Sequence, residues 1–355
     1  MIPVTYIRSS SYGCHDMCQM KAFGEYTLGW SGPGNLKADK GTMTHKALEL
    51  LACAKLAQQQ GQKTYVDEEF FGELSSDVDT LDVDNIIERV YEHYSQAFTQ
   101  HNWQTKDLKD VRLWTWKALH FKNGAFDPRK RTIVAPEAPF DLELKDDWAK
   151  YEYDYMGKTI SGQLSIKGTI DLVTELSPGV LEVVDWKTGR RINWATGEEK
   201  THDKLRGDAQ LRMYHYAIQC LYPDVDQILF TIFYINDGGP YTVDFYREDI
   251  PDTLDMLRRK YEAMSNTDHP EMIRGTQKGW KCNKFCHQGM STFEKTNVKP
   301  LVETRWGQVT PKGSIMCKCE QINYTLQHRT ITSVITNMSK EGFNCANYKA
   351  PGSTE

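Results

Sequence analysis

Two acidic residues on either side of a predicted tight turn are the part of the sequence best suited to chemistry. A β-rich segment containing Asp171 is followed by Ser177-Pro178-Gly179 and then by a second β-rich segment that includes Asp185. If the turn centres on Pro178, Asp171 lies opposite Asp185. Opposed side chains in a sheet have Cβ atoms roughly 4.5 to 5.5 Å apart, so two carboxylates there repel unless a cation lies between them. The pair therefore predicts a site for Mg²⁺ or Mn²⁺, ions that prefer oxygen ligands.

Lys187 adds a positive charge to this predicted site. It lies two residues beyond Asp185 and thus on the same face of the strand. A divalent ion lowers the pKa of bound water toward roughly 7, and an adjacent lysine can orient that water or offset charge in the transition state. This chemistry suits phosphodiester hydrolysis. The three residues alone fit equally well with an Asp–Lys salt bridge on a solvated hairpin.

Three further polar side chains belong to predicted helices before and after the hairpin. His45 shares a helix face with Leu48 and Ala52, so it points inward, either as a core histidine or as a ligand that completes a carboxylate site. Gln210 and Tyr214 lie four residues apart on one face of a later helix. A buried glutamine needs hydrogen-bond partners, and a phosphate or a catalytic side chain would supply them.

The elements that must position these residues alternate between helical and β-rich signals. Helical tracts at about 42–60, 84–100 and 109–122 precede β-rich runs at 151–155, 159–165, 168–174, 180–186 and 228–235, with further helices at about 204–221 and 251–264. This order predicts a mixed α/β core behind an N-terminal helical block. Glu137 lies in another strand-like run, where a solvated acid is favoured over an outer carboxylate of the site.

Composition excludes several classes of protein. The net charge of −5 provides no overall positive field, so binding to a polyanion requires a local basic patch. No apolar stretch approaches the roughly 18 residues of a membrane helix, and the first residues lack the apolar region of a signal peptide, so a cytoplasmic protein is expected. No Gly-rich loop with the spacing of an ATP-binding motif occurs.

Cysteines form two pairs with equal spacing far apart in the sequence. Cys14 and Cys18 lie near the N-terminus, and Cys282 and Cys286 follow the last core helix. Four thiols in two pairs can close a tetrahedral metal site, whereas nine cysteines in total are too few for a disulfide scaffold. Zinc, an iron-sulfur cluster and unligated cysteines all remain open.

Four motifs in order resemble those of the RecB-type branch of the PD-(D/E)xK nuclease superfamily. They are Gly41-x-x-x-His45, Gly168-Thr169-Ile170-Asp171, Asp185-Trp186-Lys187-Thr188-Gly189 and Gln210-x-x-x-Tyr214. The resemblance covers about residues 5–290 and is greatest to stand-alone phage exonucleases and CRISPR-adaptation nucleases. It implies a restriction-endonuclease-like core, a mixed central sheet flanked by helices, within a nuclease domain of residues 1–299. Residues 62–130 would form a helical insertion in it, and 300–355 an appendage with one short helix near 330–338.

The resemblance also implies roles for individual residues. His45, Asp171, Asp185 and the main-chain carbonyl of Trp186 would bind the metal, Lys187 would be the catalytic lysine, and Gln210 and Tyr214 would position it or the DNA. Some relatives carry a four-iron four-sulfur cluster that clips the N-terminal region to the segment after the core. They bring one cysteine from the first region and three from the second, whereas this chain shows two and two, so zinc stays an alternative.

The expected activity is metal-dependent hydrolysis of DNA, most simply by an exonuclease acting on ends or single strands in recombination, repair or processing. Arg190, Arg191, Lys204 and Arg206 are the candidate phosphate contacts beside the site. Rival hypotheses are a structure-specific endonuclease and a non-catalytic, metal-stabilised DNA-binding accessory protein of recombination. The appendage could bind a recombination or annealing partner.

Overall fold

The computed structural model describes most of the chain up to Ser265 and shorter parts beyond it. The described residues are 4–29, 34–155, 158–193, 196–225, 227–265, 270–272, 286, 318–330, 333–334 and 336. Within these ranges, no helix is both long enough and apolar enough to cross a membrane.

Helices and strands alternate along the chain, as the sequence predicted. The strands are β1 Tyr6–Ile7, β2 Thr64–Asp67, β3 Gly72–Ser75, β4 Thr132–Glu143, β5 Lys150–Tyr155, β6 Lys158–Gln163, β7 Ser165–Ser177, β8 Val180–Lys187, β9 Gln227–Tyr234 and β10 Gly239–Phe245. The α-helices are α1 Ser9–Met17, α2 Gln19–Ala22, α3 Leu36–Gln59, α4 Val83–Ala97, α5 Thr105–His120, α6 His202–Arg206, α7 Ala209–Leu221, α8 Ile250–Ser265 and α9 Lys318–His328.

A six-stranded mixed sheet forms the centre of the fold. Its order is β1-β7-β8-β9-β10, and β4 pairs with the other edge of β7. β1 is parallel to β7 and β9 is parallel to β8, whereas the remaining pairs are antiparallel. β4 is an edge strand, which explains how it tolerates Pro136 and Pro139, residues that cannot donate a ladder hydrogen bond. The expected mixed sheet flanked by helices is confirmed.

Two strands share the second edge of β7. β1 pairs with Ser165 and Ile166, and β8 pairs with β7 from Leu172 onward. In the described part of the chain, no strand pairs with residues 167–171 on that edge. The sheet therefore has an interval in its ladder, and the functional side chains lie around it.

Helices cover both faces of the sheet, and each face has its own apolar core. α7 and α8 pack on one face, where Leu211, Ile218 and Leu257 meet strand residues such as Phe230. α3, α4 and α5 pack on the other face against Val184 and Trp186. Lys46 of α3 is buried and holds the β2–β3 hairpin in place through Asp67 at 3.0 Å and Glu69 at 2.9 Å.

Local sequence explains where the two site helices begin. The side chain of Asn35 accepts a hydrogen bond from Ala38 N at 3.0 Å and starts α3 earlier than the predicted residue 42. The helix predicted over 204–221 is instead α6 and α7, separated at Gly207 and Asp208. Asp208 accepts from Gln210 N at 2.9 Å, so α7 begins next to Gln210 and holds it in a fixed first turn.

One helix after residue 300 was not predicted. α9 packs through Ile322 and Leu326 against Met20 and Phe23 from the N-terminal region. These four apolar side chains are buried together in one small cluster. In the region where a short helix was expected, the structure describes helical conformation only at residues 333, 334 and 336.

Candidate active site

The two predicted carboxylates lie where β7 and β8 separate. The register of the hairpin is the predicted one, with Leu172 opposite Val184, so Asp171 and Asp185 occupy the next position. There Asp171 Oδ2 accepts the main-chain N–H of Trp186 at 2.8 Å. A side-chain oxygen thus takes the place of a backbone acceptor. It connects β7 to β8 beyond the last backbone hydrogen bond between them.

Lys187 and Asp185 form an ion pair at the end of β8. The Lys187 ammonium lies 2.8 Å from Asp185 Oδ1 and 2.7 Å from Oδ2, on the strand face that the sequence predicted. Asp185 is only 1% exposed, and in the described structure its buried Oδ2 has no hydrogen-bond donor besides the Lys187 ammonium. Burial and repulsion from Asp171 raise the pKa of Asp185. Attraction to Lys187 lowers it, but the net effect is a raised pKa. Oδ2 therefore has lone pairs available to a cation.

His45 reaches the same place from α3. Its Nδ1 lies 3.4 Å from Asp171 Oδ2, and its ring packs edge-on against Trp186 at 6.4 Å between centroids. Burial opposes a charge on His45, but attraction to the Asp171 carboxylate outweighs it and raises the pKa of the imidazole. Burial also raises the pKa of Asp171, yet His45 and Lys187 together bring it below its ordinary value.

Gly41 explains how α3 approaches so closely. A Cβ atom at this position would lie 2.8 Å from Thr188 Oγ1, in the segment that directly follows Lys187. The Gly41-x-x-x-His45 spacing thus has a steric reason: the glycine admits the chain after β8, and His45 follows one turn later on the same side of the helix.

Glu137 also belongs to the site, although a solvent-exposed position was favoured for it from the sequence. It lies in β4 between Pro136 and Ala138, which pair with Leu172 and Ile170, so it stands opposite Asp171. Burial, and then the Asp171 and Glu49 carboxylates, raise the pKa of Glu137 to about 8. The favoured interpretation of a solvated acid is wrong, because one oxygen of this residue faces Asp171 and His45.

The backbone of Glu137 is also unusual. Its φ is +40°, a value that non-glycine residues seldom adopt and that costs conformational energy. Neighbouring pairs in β4 and β7 keep their register around it. The strain therefore serves the direction of one side chain rather than a change in pairing.

Ligand atoms of His45, Glu137 and Asp171 all lie within 4.8 Å of one another. Mg²⁺ and Mn²⁺ bind carboxylate oxygens and imidazole nitrogen, and the buried Oδ2 of Asp185, which contacts only Lys187 among the described donors, adds another possible ligand atom. The residues present fit a divalent cation. The Trp186 main-chain carbonyl, expected as another ligand, stays a prediction.

Gln210 and Tyr214 connect α7 to this group. Gln210 Nε2 donates to Asp185 Oδ1 at 2.9 Å and to the Tyr214 hydroxyl at 2.8 Å, and that hydroxyl donates to the Thr169 carbonyl at 2.7 Å. Thr169 pairs with Pro139 on the β4 edge but has no strand partner on the β8 edge within the described residues, and Tyr214 supplies a hydrogen bond to its carbonyl. Burial, and then Asp185 and Asp171, raise the pKa of Tyr214 well above its ordinary value, which keeps the hydroxyl a donor.

Gly168 has a packing role beside this chain of hydrogen bonds. A Cβ there would lie 2.6 Å from the Phe140 ring, which packs edge-on against Tyr214 with centroids 5.9 Å apart. The small residue that begins the Gly168-Thr169-Ile170-Asp171 motif thus leaves room for the ring that supports Tyr214.

Three of the four cations expected to contact phosphate are engaged with carboxylates. Arg191 pairs with Glu199, Lys204 with Glu198 at 2.8 Å, and Arg206 with Asp244 at 2.9 Å. Arg190 is exposed and forms no ion pair with the described residues. The sequence placed these charges near the site but gave no sign of their partners.

The expected cysteine clip is only partly within the described residues, since Cys282 lies outside them. Cys14 contacts Glu25 and Lys21, each 3.5 Å from its sulfur, and burial is the main cause that raises the pKa of its thiol to about 12. Cys18 instead packs on the small apolar cluster that contains Cys319. The two N-terminal thiols thus have different surroundings, although the sequence treated them as a pair.

Comparisons with known proteins agree with this geometry. A model of the PD-(D/E)XK nuclease superfamily matches residues 10–287, and no curated relative matches the sequence. A solved structure from Eubacterium rectale, provisionally named an exonuclease, is similar over 84% of this chain and 91% of its own, with 11% identity and a TM-score of 0.43, too low to carry an argument. The family match, which spans most of the chain and all four motifs, shows that the chain belongs to the PD-(D/E)XK nuclease superfamily.

Proposed function

We propose that this metal-dependent nuclease is an exonuclease that hydrolyses DNA from ends or along single strands, with Mg²⁺ or Mn²⁺ as its cofactor. The observation that carries the proposal is the convergence of His45, Glu137 and Asp171 beside the Lys187–Asp185 ion pair. These groups come from helix α3 and from three strands of the sheet, β4, β7 and β8, so a purely structural salt bridge does not account for the set.

His45, Glu137, Asp171 and Asp185 would hold the cation. When bound, the ion polarises a phosphate and lowers the pKa of water toward roughly 7. Burial and repulsion from the Asp171 carboxylate raise the pKa of both Glu137 and Asp185. A bound cation would therefore stabilise the ionised form of both residues.

Lys187 is the cation that this chain itself supplies. Attraction to Asp185 and Asp171 outweighs its burial and raises its pKa, so the ammonium stays charged at neutral pH. Its side chain is 36% exposed, which leaves the amine accessible to substrate. We assign it to orient water or to offset charge on the phosphate as the bond breaks.

Gln210 and Tyr214 act as positioning residues. Gln210 holds the oxygen of Asp185 that Lys187 also contacts, and Tyr214 anchors Gln210 to the β7 backbone. These hydrogen bonds restrict the orientation of the Asp185 carboxylate. Among the predicted phosphate contacts, Arg190 alone requires no carboxylate to be released; Arg191, Lys204 and Arg206 would exchange an internal partner for DNA.

The decisive experiment is a time course on 5′- and 3′-labelled single and double strands with Mn²⁺ or Mg²⁺, with EDTA as control. We expect stepwise shortening from an end and no reaction in EDTA. A circular single strand should resist the protein. Cutting of the circle would replace exonuclease by endonuclease, and intact DNA in every reaction would favour the non-catalytic accessory protein.

We keep the cysteine clip as a proposal in modified form. Cys18 and Cys319 belong to one apolar cluster, whereas the thiol of Cys14 contacts an amine and a carboxylate, so we replace Cys14 by Cys319 and keep Cys18 and the predicted Cys286 as ligands. Iron, sulfide and zinc analysis of freshly purified protein distinguishes a four-iron four-sulfur cluster from zinc. Absence of all three would remove the clip. Part of the proposed function is a role in DNA recombination or processing, with a partner bound by residues after 299.

A further inference from the structure

A cavity of about 410 Å³ lies next to the candidate active site. The start of α1, with Arg8, Ser9 and Ser10, forms one wall, and β7, with Lys167 and Thr169, forms another. Its size lies within the range of small-ligand sites and is far below what a duplex needs. The cavity thus suits a single nucleotide or the phosphate of one.

The cavity and the catalytic carboxylates share a wall. Tyr214 lines the cavity, and its hydroxyl joins Thr169, also in the lining, to Gln210, which contacts Asp185 at 2.9 Å. A strand whose phosphate lies at Asp185 therefore has its neighbouring nucleotide within reach of this space. The interval in the edge of β7 is what leaves the space open.

The charge in the cavity favours an anion. Arg8 is exposed and forms no ion pair with the described residues, unlike Arg191, Lys204 and Arg206. Lys167 also lines the space, and its charge is offset by Asp141 at 2.6 Å. One positive charge remains without a partner in the lining.

The start of α1 is built in a way that adds to this charge. Helices are stabilised by an acid in the first turn, yet α1 has none there and carries Arg8 at its N-cap. The main-chain N–H of Arg8 donates to Ser11 Oγ at 2.9 Å, and the Arg8 side chain forms no capping hydrogen bond with the helix. The guanidinium lies 5.7 Å from the centroid of the Tyr6 ring and has no carboxylate partner in the described structure, so it can bind a ligand from outside.

We infer that this cavity is a phosphate-binding subsite for the DNA strand being cut, with Arg8 as its principal contact. The inference rests on the proposed nuclease function and adds a substrate determinant to it. The phosphate is either a terminal monoester or an internal diester of the same strand. Contacts of this kind set the register of a strand without reading its sequence.

Arg8→Gln tests the subsite, with Arg112→Gln as the matched control. Arg112 is partly exposed and pairs with Asp84 at 2.9 Å. It lies on α5, in the helical layer on the face of the sheet that α3, α4 and α5 cover. Binding of labelled single strands is measured in EDTA across a salt series. We expect Arg8→Gln to bind about tenfold more weakly at low salt and to reduce the slope of log K against log salt by about 0.7, the value for one phosphate contact on a single strand.

Three substrates separate the two sources of phosphate: one with a 5′-phosphate, one with a 3′-phosphate and one with hydroxyls at both ends. An effect of Arg8→Gln on one phosphorylated substrate only identifies a terminal group, and an equal effect on all three identifies an internal diester. Wild-type affinity and salt slope for Arg8→Gln on all three substrates would overturn the subsite.

Asp141→Asn gives a test in the opposite direction, since it releases Lys167 and should strengthen binding. A loss of affinity in this variant would contradict the inference. Because these assays need no cleavage, failure of the catalytic proposal is seen separately: DNA that binds as expected but stays intact in Mn²⁺ rejects the nuclease alone.

Discussion

Single side chains carry the chemistry of the site, and Lys187 is the one whose role is easiest to isolate. It is partly exposed and touches Asp185 without filling a core, so its removal changes charge rather than packing. Lys187→Ala should lower the cleavage rate about a thousandfold or more and leave the melting temperature and DNA affinity close to wild type. The rate on labelled DNA in Mn²⁺ is the measurement.

Lys150→Ala is the control for this experiment, because Lys150 also pairs with an aspartate, at 2.6 Å, but lies 67% exposed on β5. We expect wild-type activity from it. Full activity in Lys187→Ala would remove the lysine from the mechanism.

Glu137 should make metal binding depend on pH. Its pKa of about 8 means that the free carboxyl holds a proton at neutral pH, which a cation must displace. Affinity for Mn²⁺ therefore rises with pH and levels off above about 8, with a contribution at lower pH from Asp185, whose pKa is raised to about 6. Glu137→Gln should weaken binding and flatten the upper part of this rise, measured by titration calorimetry from about pH 6 to 9.

Glu143→Gln, on the exposed far end of the same strand, should bind Mn²⁺ like wild type at every pH. An unchanged pH profile in Glu137→Gln would show that Glu137 is not a ligand.

At the scale of elements, α3 and the end of β8 meet at Gly41. The missing side chain permits the approach of Thr188, and an added Cβ would press on its Oγ1 at 2.8 Å. Gly41→Ala should shift Thr188 and the adjacent Lys187 and reduce kcat about tenfold with little loss of stability, since small displacements of catalytic groups are costly.

Gly13→Ala is the matched control, because a Cβ at Gly13 of α1 meets no atom within 4 Å. Adding Thr188→Ala to Gly41→Ala removes the Oγ1 clash and should restore part of kcat. A double variant no more active than Gly41→Ala would refute this steric explanation.

The sequence predicted the elements that local patterns determine and missed those that depend on distant pairing. The turn at Pro178 set the β7–β8 register and brought Asp171 to Asp185 correctly, because both positions belong to one hairpin. Glu137 was misjudged because its place depends on the β4–β7 register and on a positive φ, which no local pattern indicates. A signal was present in Pro136 and Pro139, which mark an edge strand next to the site.

Charge and packing partners were equally invisible. Arg191, Lys204 and Arg206 were identified as cations, but their carboxylate partners follow from the fold of the segment after β8. The break before α7 follows from the Asp208 cap, because an aspartate directly before a helical stretch is a typical N-cap residue. α9 shows no strong periodicity and is placed by contact with the N-terminal region.

At the scale of the whole molecule, His215 should make stability depend on acid. The imidazole is fully buried in α7, stacks on Phe245 at 5.3 Å, and has both nitrogens without a partner in the described structure. Burial lowers its pKa to about 4. In the unfolded chain this histidine binds a proton with a pKa of about 6.5, whereas in the folded chain it does so only near pH 4. The free energy of unfolding therefore falls as the pH drops from about 6.5 to 4.

His215→Leu, of similar volume, removes the titrating group. Between pH 7 and about 4.5 it should lose about 2 kcal/mol less unfolding free energy than wild type, as urea denaturation at the two pH values measures. His202→Leu is the control, because His202 is exposed on α6 and its removal should leave the acid dependence unchanged. Equal losses in wild type and His215→Leu would contradict the explanation.

The fastening of β7 to β8 by Asp171 has a consequence for how this nuclease could change over time. The Asp171 carboxylate joins β8 to β7 where their ladder stops and also belongs to the proposed cation site, so the fold and the proposed catalysis depend on the same group. Asparagine is the substitute that still offers an oxygen to the Trp186 amide while giving up the charge. Replacement of Asp171 by asparagine would thus remove the charge needed for cleavage and keep the hydrogen bond between β7 and β8. Most other replacements would lose that hydrogen bond as well.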